Sequence, residues 1–202
     1  MSQTIVHLVR HGEVFNPEKI LYGRIPDYHL SARGESMAAA TATMFRDRDV
    51  VLLQSSPLER AQETAAPISR ITGLEIEIEQ RLLEAGNQFE GLRVKRLRSD
   101  LLHPKYWSKM KNPLQPSWGE PYTEILERMQ AAILAAVERA RGHEAVLVSH
   151  QLPIVCVQRW AQEKPLWHNP ALRKCNLASV SSLVFEGDTL VKYSYAEPAQ
   201  HI

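Results

Sequence analysis

The sequence predicts an α/β fold: a three-layer α/β/α sandwich whose mainly parallel central sheet carries helices on both faces. Three observations support this. Residues 5–9, 50–53 and 145–148 are short, continuous apolar runs of the kind found in buried strands. Amphipathic stretches of helical period lie between and after them, and turn-forming residues divide strand from helix. Continuous rather than alternating apolar strands imply that both faces of the sheet are covered.

The first run ends in Arg10-His11-Gly12-Glu13, so polar groups fall where the strand stops. Taken alone, Arg-His-Gly reads better as an ordinary polar turn, since three residues recur by chance. Residues 13–30 follow as a loop with turn formers at Asn16-Pro17, Tyr22-Gly23 and Pro26-Asp27. Ser31 is placed to cap a helix reaching about Arg46, with Met37, Thr41, Met44 and Phe45 near one side. The run at 50–53 leads into Gln54-Ser55-Ser56. Pro57 then suits the first turn of a helix that passes Arg60 and Thr64 and stops at Gly73. Residues 75–79 alternate, as an exposed edge strand does.

From Leu82 to Pro121 the pattern breaks into a loop at Glu84-Ala85-Gly86, a helix-like piece at 92–101 and an aromatic, proline-containing run to Trp118. Within a single domain of residues 1–202, segment 86–121 therefore reads as an insertion over one end of the sheet. A long helix follows at 122–141, with Ile125, Met129, Ile133, Ala136, Val137 and Ala140 on its apolar face and Gly142 behind it. The run at 145–148 ends in Ser149-His150-Gln151, and Pro153 opens a helix to about Gln162. Strands at 180–185 and 190–195 flank the turn Glu186-Gly187-Asp188.

A chain of 202 residues can bury one substantial core, and its composition is that of an ordinary globular protein. The net charge of +1 argues against broad attraction to nucleic acid or a membrane surface, so any anion site must be concentrated. Cys156 and Cys175 show no paired spacing, and neither opens a C-x5-R loop, which is the reading of reduced thiols in a cytoplasmic protein. The first residues lack a basic region followed by an apolar run, and no stretch approaches transmembrane length.

In a parallel sheet the carboxyl ends of the strands share one edge, so Arg10-His11, Ser55-Ser56 leading to Arg60, and Ser149-His150 can converge. Two arginines and two histidines suit a phosphoryl group: guanidinium forks match its oxygens, and an imidazole can donate to it or attack it. Val9-Arg10-His11-Gly12-Glu13 with Asn16, Leu30-Ser31-Ala32-Arg33-Gly34, Ser55-Ser56-Pro57-Leu58-Glu59-Arg60-Ala61-Gln62-Glu63-Thr64-Ala65, Leu82-Leu83-Glu84 and Val148-Ser149-His150 occur in this order. Together they resemble the signature blocks of the histidine phosphatase superfamily, the phosphoglycerate mutase-like family.

The resemblance implies a phosphoglycerate mutase-like fold and a metal-independent phosphomonoesterase acting on a small phosphorylated metabolite. It makes His11 the nucleophile that becomes a phosphohistidine, with Arg10, Arg60 and His150 around the equatorial oxygens and Glu84 as proton donor and acceptor. Asn16 would be a further phosphate donor. Tyr22, Gly23, Gln151, Lys105 and Trp107 are the candidate substrate contacts. The chain departs from the family pattern at Gln151, where glycine is usual, at His29, where proline is common, and at Pro121, where serine is frequent. Gln151 and Pro121 bear on specificity and leave the proposed chemical groups intact.

No metal or other cofactor is called for, because the cationic side chains carry the charge neutralisation. His7 and His11 do not share a helical face, Leu92 stands where a phosphate-binding loop would need lysine after Gly86 and Gly91, and no G-x-S-x-G elbow occurs. From Arg93 to Lys111 there are seven basic residues and one acid, Asp100. That is either a solvated helix face or a cap adding positive charge for a substrate with more than one anionic group. Two other functions stay open. One is a phosphomutase, disfavoured by the lack of the Arg-His-Tyr-Gly run that glycolytic mutases share; the other is a non-catalytic phospholigand-binding or interaction module, which would be expected to have lost His11 or Glu84.

Overall fold

The computed structural model describes residues 2–93 and 119–202. In chain order the elements are β1 (Gln3–Arg10), α1 (Ala32–Thr43), β2 (Val50–Ser55), α2 (Glu59–Thr72), β3 (Glu77–Ile78), α3 (Tyr122–Arg139), β4 (Glu144–Ser149), α4 (Gln151–Ala161), β5 (Val180–Glu186) and β6 (Thr189–Ala196). They form one six-stranded sheet in the order β3-β2-β4-β1-β5-β6. The pairs β3/β2, β2/β4 and β4/β1 are parallel, whereas β1/β5 and β5/β6 are antiparallel. The sheet is thus mixed, with its parallel part at the first four positions.

Strand alternation divides the core into two layers. Val6 and Leu8 of β1 and Ala145 and Leu147 of β4 face Ile125, Met129, Ile133 and Val137 of α3 and Ile154 and Val157 of α4. Their neighbours Val9, Val146 and Val148 face Ala42 of α1 and Ala61, Ala65 and Ile68 of α2. The predicted sandwich is therefore present, with β1 and β4 covered on both faces.

Several boundaries differ from the sequence expectation for local reasons. Helix α1 has Ser31 as its cap, accepting from the Gly34 N–H, but gives way to turns at Met44. Helix α2 begins at Glu59 rather than at Pro57 and ends at Gly73 with φ of 75°. Strand β3 keeps only two residues of the alternating stretch, paired to β2 on one side. Helix α3 stops at Arg139. Helix α4 begins at Gln151, and Pro153 sits inside its first turn, where a missing N–H costs no intrahelical bond.

Candidate active site

Strands β1, β2 and β4 end side by side: Arg10 is paired with Ser149 across β1/β4, and Ser55 with Val148 across β2/β4. The residues that follow are tied across the same edge, because the His11 N–H donates to the Ser149 carbonyl at 3.1 Å and the Ser56 N–H to the Val148 carbonyl at 2.9 Å. This register brings His11, Ser56 and His150 together although they are far apart in the chain.

His11 is buried, and its Nδ1 lies 2.8 Å from the Gly12 carbonyl oxygen. A carbonyl only accepts, so Nδ1 carries the proton and Nε2 keeps its lone pair. Burial first, then the charges of Arg10 and Arg60, hold its pKa well below the ordinary imidazole value. The neutral form therefore prevails at neutral pH. The His150 ring stands with its centroid 5.2 Å from that of His11. Its Nε2 is 2.8 Å from Ser56 Oγ, which also accepts from the Leu58 N–H at 3.5 Å, leaving the hydroxyl proton free to point at Nε2. When the hydroxyl donates to Nε2, His150 Nδ1 is the N–H donor; that nitrogen is buried without a partner among the described residues. Burial, followed by His11 and the two arginines, also keeps this ring neutral.

Arg60 is completely buried, an unusual position for a guanidinium. Its Nη2 donates to the Gly23 carbonyl at 2.6 Å, its guanidinium lies 4.7 Å from the centroid of Tyr22, and Nε and Nη1 have no partner among the described residues. Gly23 can hold that carbonyl because its φ of +42° suits glycine and because a Cβ there would lie 2.2 Å from Glu90 Oε1. Arg10 spends Nη1 on the Cys175 carbonyl at 2.5 Å and keeps a buried Nε that has no partner among the described residues. Four buried nitrogens, from Arg10, Arg60 and His150, are thus unmatched by any described residue in one neighbourhood.

Glu84 is held by its own loop. Its Oε1 accepts from the Ala85 N–H at 2.8 Å, and its carbonyl accepts from Arg24 Nε at 2.6 Å. Arg24 and Arg128 both reach Glu120, and Arg128 also donates to the Arg81 carbonyl at 2.6 Å. Burial raises the Glu84 pKa above the usual carboxylate value, outweighing the Ala85 N–H and the charges of Arg60, Arg10 and Arg173. A raised carboxyl beside a lowered imidazole is the pairing that proton transfer during nucleophilic attack requires.

The other predicted contacts fall in different places. The Asn16 amide donates to the Ile20 carbonyl and accepts from the Ile20 N–H, setting the course of the loop that brings in Tyr22. Tyr22 stacks on Tyr28 and lies 6.4 Å from His11, centroid to centroid. Gln151 points its amide at the Cys175 carbonyl, 3.5 Å away, and lines a cavity of about 260 Å³ with Glu84, Leu21, Tyr122, Leu152 and Arg173. Lys105 and Trp107 lie outside the described residues, as do 94–118 as a whole. Among the described residues, Asn87 bridges Gly119 and the Glu120 N–H donates to the Gly86 carbonyl, next to Glu84 in the chain.

The sequence of the histidine phosphatase superfamily (branch 1) matches residues 6–197. The chain belongs to that superfamily. It is 50% identical over 198 residues, 98% of each chain, to the uncharacterized protein Rv0525 of Mycobacterium tuberculosis. It is 30% identical over 183 residues, 87% of this chain and 83% of the other, to the probable phosphoglycerate mutase GpmB of Escherichia fergusonii. The fold is also that of the mycobacterial glucosyl-3-phosphoglycerate phosphatase Rv2419c, with a TM-score of 0.76 at 23% identity, covering 96% of this chain and 97% of that one. YhfR of Bacillus stearothermophilus aligns with a TM-score of 0.79 at 23% identity, covering 93% and 94%.

Sequence reasoning passed over Ser56 as the holder of His150, the Arg24–Glu120–Arg128 support under Glu84, and Arg173. The signal for Arg173 was weak: from Lys164 to Phe185 there are three cations and no acid.

Proposed function

We propose that this histidine phosphatase superfamily member is a phosphomonoesterase that hydrolyses a small phosphorylated metabolite through a phosphohistidine on His11. The observation that carries this reading is the set of unmatched buried donors: Arg10 Nε, Arg60 Nε and Nη1, and His150 Nδ1. A buried cation with unmade hydrogen bonds costs several kcal/mol, and a phosphoryl oxyanion is the ligand that makes all of them at once.

In the first step His11 Nε2 attacks phosphorus, the ester P–O bond breaks, and the protonated Glu84 gives its proton to the departing oxygen. In the second, Glu84, now a carboxylate, takes a proton from water as that water attacks phosphorus. The P–N bond breaks, and inorganic phosphate leaves with His11 restored. Arg10, Arg60 and His150 stabilise the charge on the equatorial oxygens in both transition states. Asn16 keeps a second amide N–H for the phosphoryl group, and Tyr22, Gly23 and Gln151 border the substrate.

The 30% identity to a protein named as a mutase keeps phosphoryl return to a second hydroxyl as the alternative. Among the described residues no cluster of His, Cys, Asp or Glu is arranged to hold a metal ion, and no helix is long and apolar enough to cross a membrane. Two free, buried cysteines fit a cytoplasmic setting. The selector role for 86–121 and the single-domain reading rest on the sequence.

The test is a panel of phosphorylated metabolites assayed in EDTA, with His11→Ala alongside. Release of inorganic phosphate that the substitution abolishes supports the hydrolase, and an isomerised phosphoester identifies a mutase. Turnover that EDTA stops, or that His11→Ala retains, overturns the mechanism.

A further inference from the structure

Arg173 is the cation among the described residues lining the cavity that holds Glu84, and it forms the wall between that cavity and a neighbouring one lined by His168. It leaves a short turn, 170–172, that Asn169 caps by accepting from the Ala171 N–H, and its own N–H returns to the Pro170 carbonyl at 3.4 Å. The side chain is aimed by His168. His168 Nδ1 lies 2.7 Å from the Leu166 carbonyl, so Nδ1 carries the proton, and Nε2 accepts from Arg173 Nε at 2.8 Å. The imidazole also packs on Tyr122, 5.4 Å between centroids, and Tyr122 lines the same cavity.

This arrangement fixes one edge of the guanidinium and leaves its two terminal nitrogens without a protein partner among the described residues. Neither acid of the cavity wall hydrogen-bonds it: Glu84, whose carboxyl feels the Arg173 charge, accepts from the Ala85 N–H. Glu120, the other acid of the cavity wall, is already paired with Arg24 at 2.8 Å and Arg128 at 2.8 Å. A fork of two free terminal NH2 groups on a preset stem is built to receive two oxygens of one planar or tetrahedral oxyanion.

We propose that Arg173, aimed by His168, is a second oxyanion-binding element of this site. It selects phosphomonoesters that carry a carboxylate or a second phosphate within a few carbons of the ester. The inference rests on the phosphatase reading for its first anion position, and it names a substrate class that the reading leaves open. His168 is a positioning residue that acts through Arg173.

The experiment measures binding by calorimetry to the His11→Ala protein, so that affinity is read without turnover. The probes are matched sets of phosphomonoesters of two, three and four carbons, ending in a hydroxyl, a carboxylate or a second phosphate. The dianionic-terminus and carboxylate members should bind about 10- to 100-fold more tightly than the hydroxyl member at the best-fitting length. Which of the two wins identifies the second group. Adding Arg173→Gln should collapse that ratio toward one. Adding His168→Leu should lower it several-fold, and His168→Gln, whose amide oxygen can accept from Arg173, should restore it.

A ratio near one in the starting protein, or a ratio that Arg173→Gln leaves intact, overturns the proposal. A loss with His168→Leu that His168→Gln fails to recover overturns the positioning role. If the parent hydrolyses esters through His11 while the ratio ignores Arg173, the phosphatase reading stands and this inference fails. If no ester is hydrolysed yet the ratio collapses with Arg173→Gln, the oxyanion element stands and the hydrolytic reading fails.

Discussion

The middle of the sheet and the carboxyl ends of its strands hold buried histidines treated in opposite ways. Toward the amino end of β4, His7 has both ring nitrogens matched: Nδ1 lies 2.8 Å from Ser182 Oγ and Nε2 lies 2.8 Å from Glu144 Oε2, with Arg48 behind that carboxylate. At the carboxyl end, His11 has Nδ1 held by the Gly12 carbonyl and His150 has Nε2 at Ser56, and the other nitrogen of each ring has no protein hydrogen bond among the described residues. The residue type and the degree of burial are the same. What differs is whether the hydrogen-bonding inventory closes within the protein. A closed inventory gives stability, and an open one, concentrated at one place with two arginines, gives a site.

The sharpest way to break the comparison is at His11. His11→Ala should lower kcat/KM by about 10⁴-fold or more, and no phosphoenzyme should form in acid-quenched reactions with labelled substrate. Retained phosphoenzyme would place the nucleophile elsewhere. Next in size is Arg60→Met, which removes two unmatched donors and a buried charge. Activity should fall about 10³-fold, and because the uncompensated charge is gone, thermal stability without ligand should rise. Inorganic phosphate should stabilise the parent by linkage and the variant much less, a contrast read by thermal denaturation at increasing phosphate.

This contrast also marks what could be read in advance. The runs at 5–9, 50–53 and 145–148 are apolar enough to identify β1, β2 and β4, and their ends placed His11, Ser56 and His150 at one edge before any contact was known. Edge strand β3 was overread, because alternation at 75–79 reports exposure and not the length of the pairing partner. For Glu84, burial and neighbouring cations pull the pKa in opposite directions, and it is the packing that decides for burial. Arg173 was invisible for a further reason. Its meaning comes from His168 and from a cavity wall shared with Glu84 and Gln151, and neither has a spacing rule in the chain.

Glu84→Gln should cost about 10²-fold in kcat/KM for an alkyl phosphate, and less for an aryl ester whose leaving group needs no proton. The pH profile carries the sign. Attack needs neutral His11, so activity rises as pH climbs through its lowered pKa. Expulsion needs protonated Glu84, so activity falls as pH climbs through its raised pKa. The optimum is therefore displaced to the acid side, and Glu84→Gln should remove the alkaline fall while leaving the acid limb in place. An alkaline limb unchanged in Glu84→Gln would assign the proton donor to another group.

The smallest effect lies at His7, in the middle of the sheet, and is read in stability. His7→Leu leaves the Ser182 hydroxyl buried without its partner and Glu144 with Arg48 alone, at a cost of about 1–3 kcal/mol, or roughly 2–4 °C in Tm for each kcal/mol in a chain of this size. Turnover per folded molecule should be unchanged. Adding Ser182→Ala should recover part of the loss, since two apolar partners leave nothing unmatched. Glu144 gives a second readout. His7 is the main cause of its lowered pKa, so its contribution is present above the ordinary carboxylate value and lost as pH falls through the lowered one. Stability should therefore decline less steeply with acid in His7→Leu than in the parent. Equal slopes would show that Arg48 sustains Glu144 by itself, and that the matched histidine serves packing against Phe45, 5.3 Å away between centroids, more than charge.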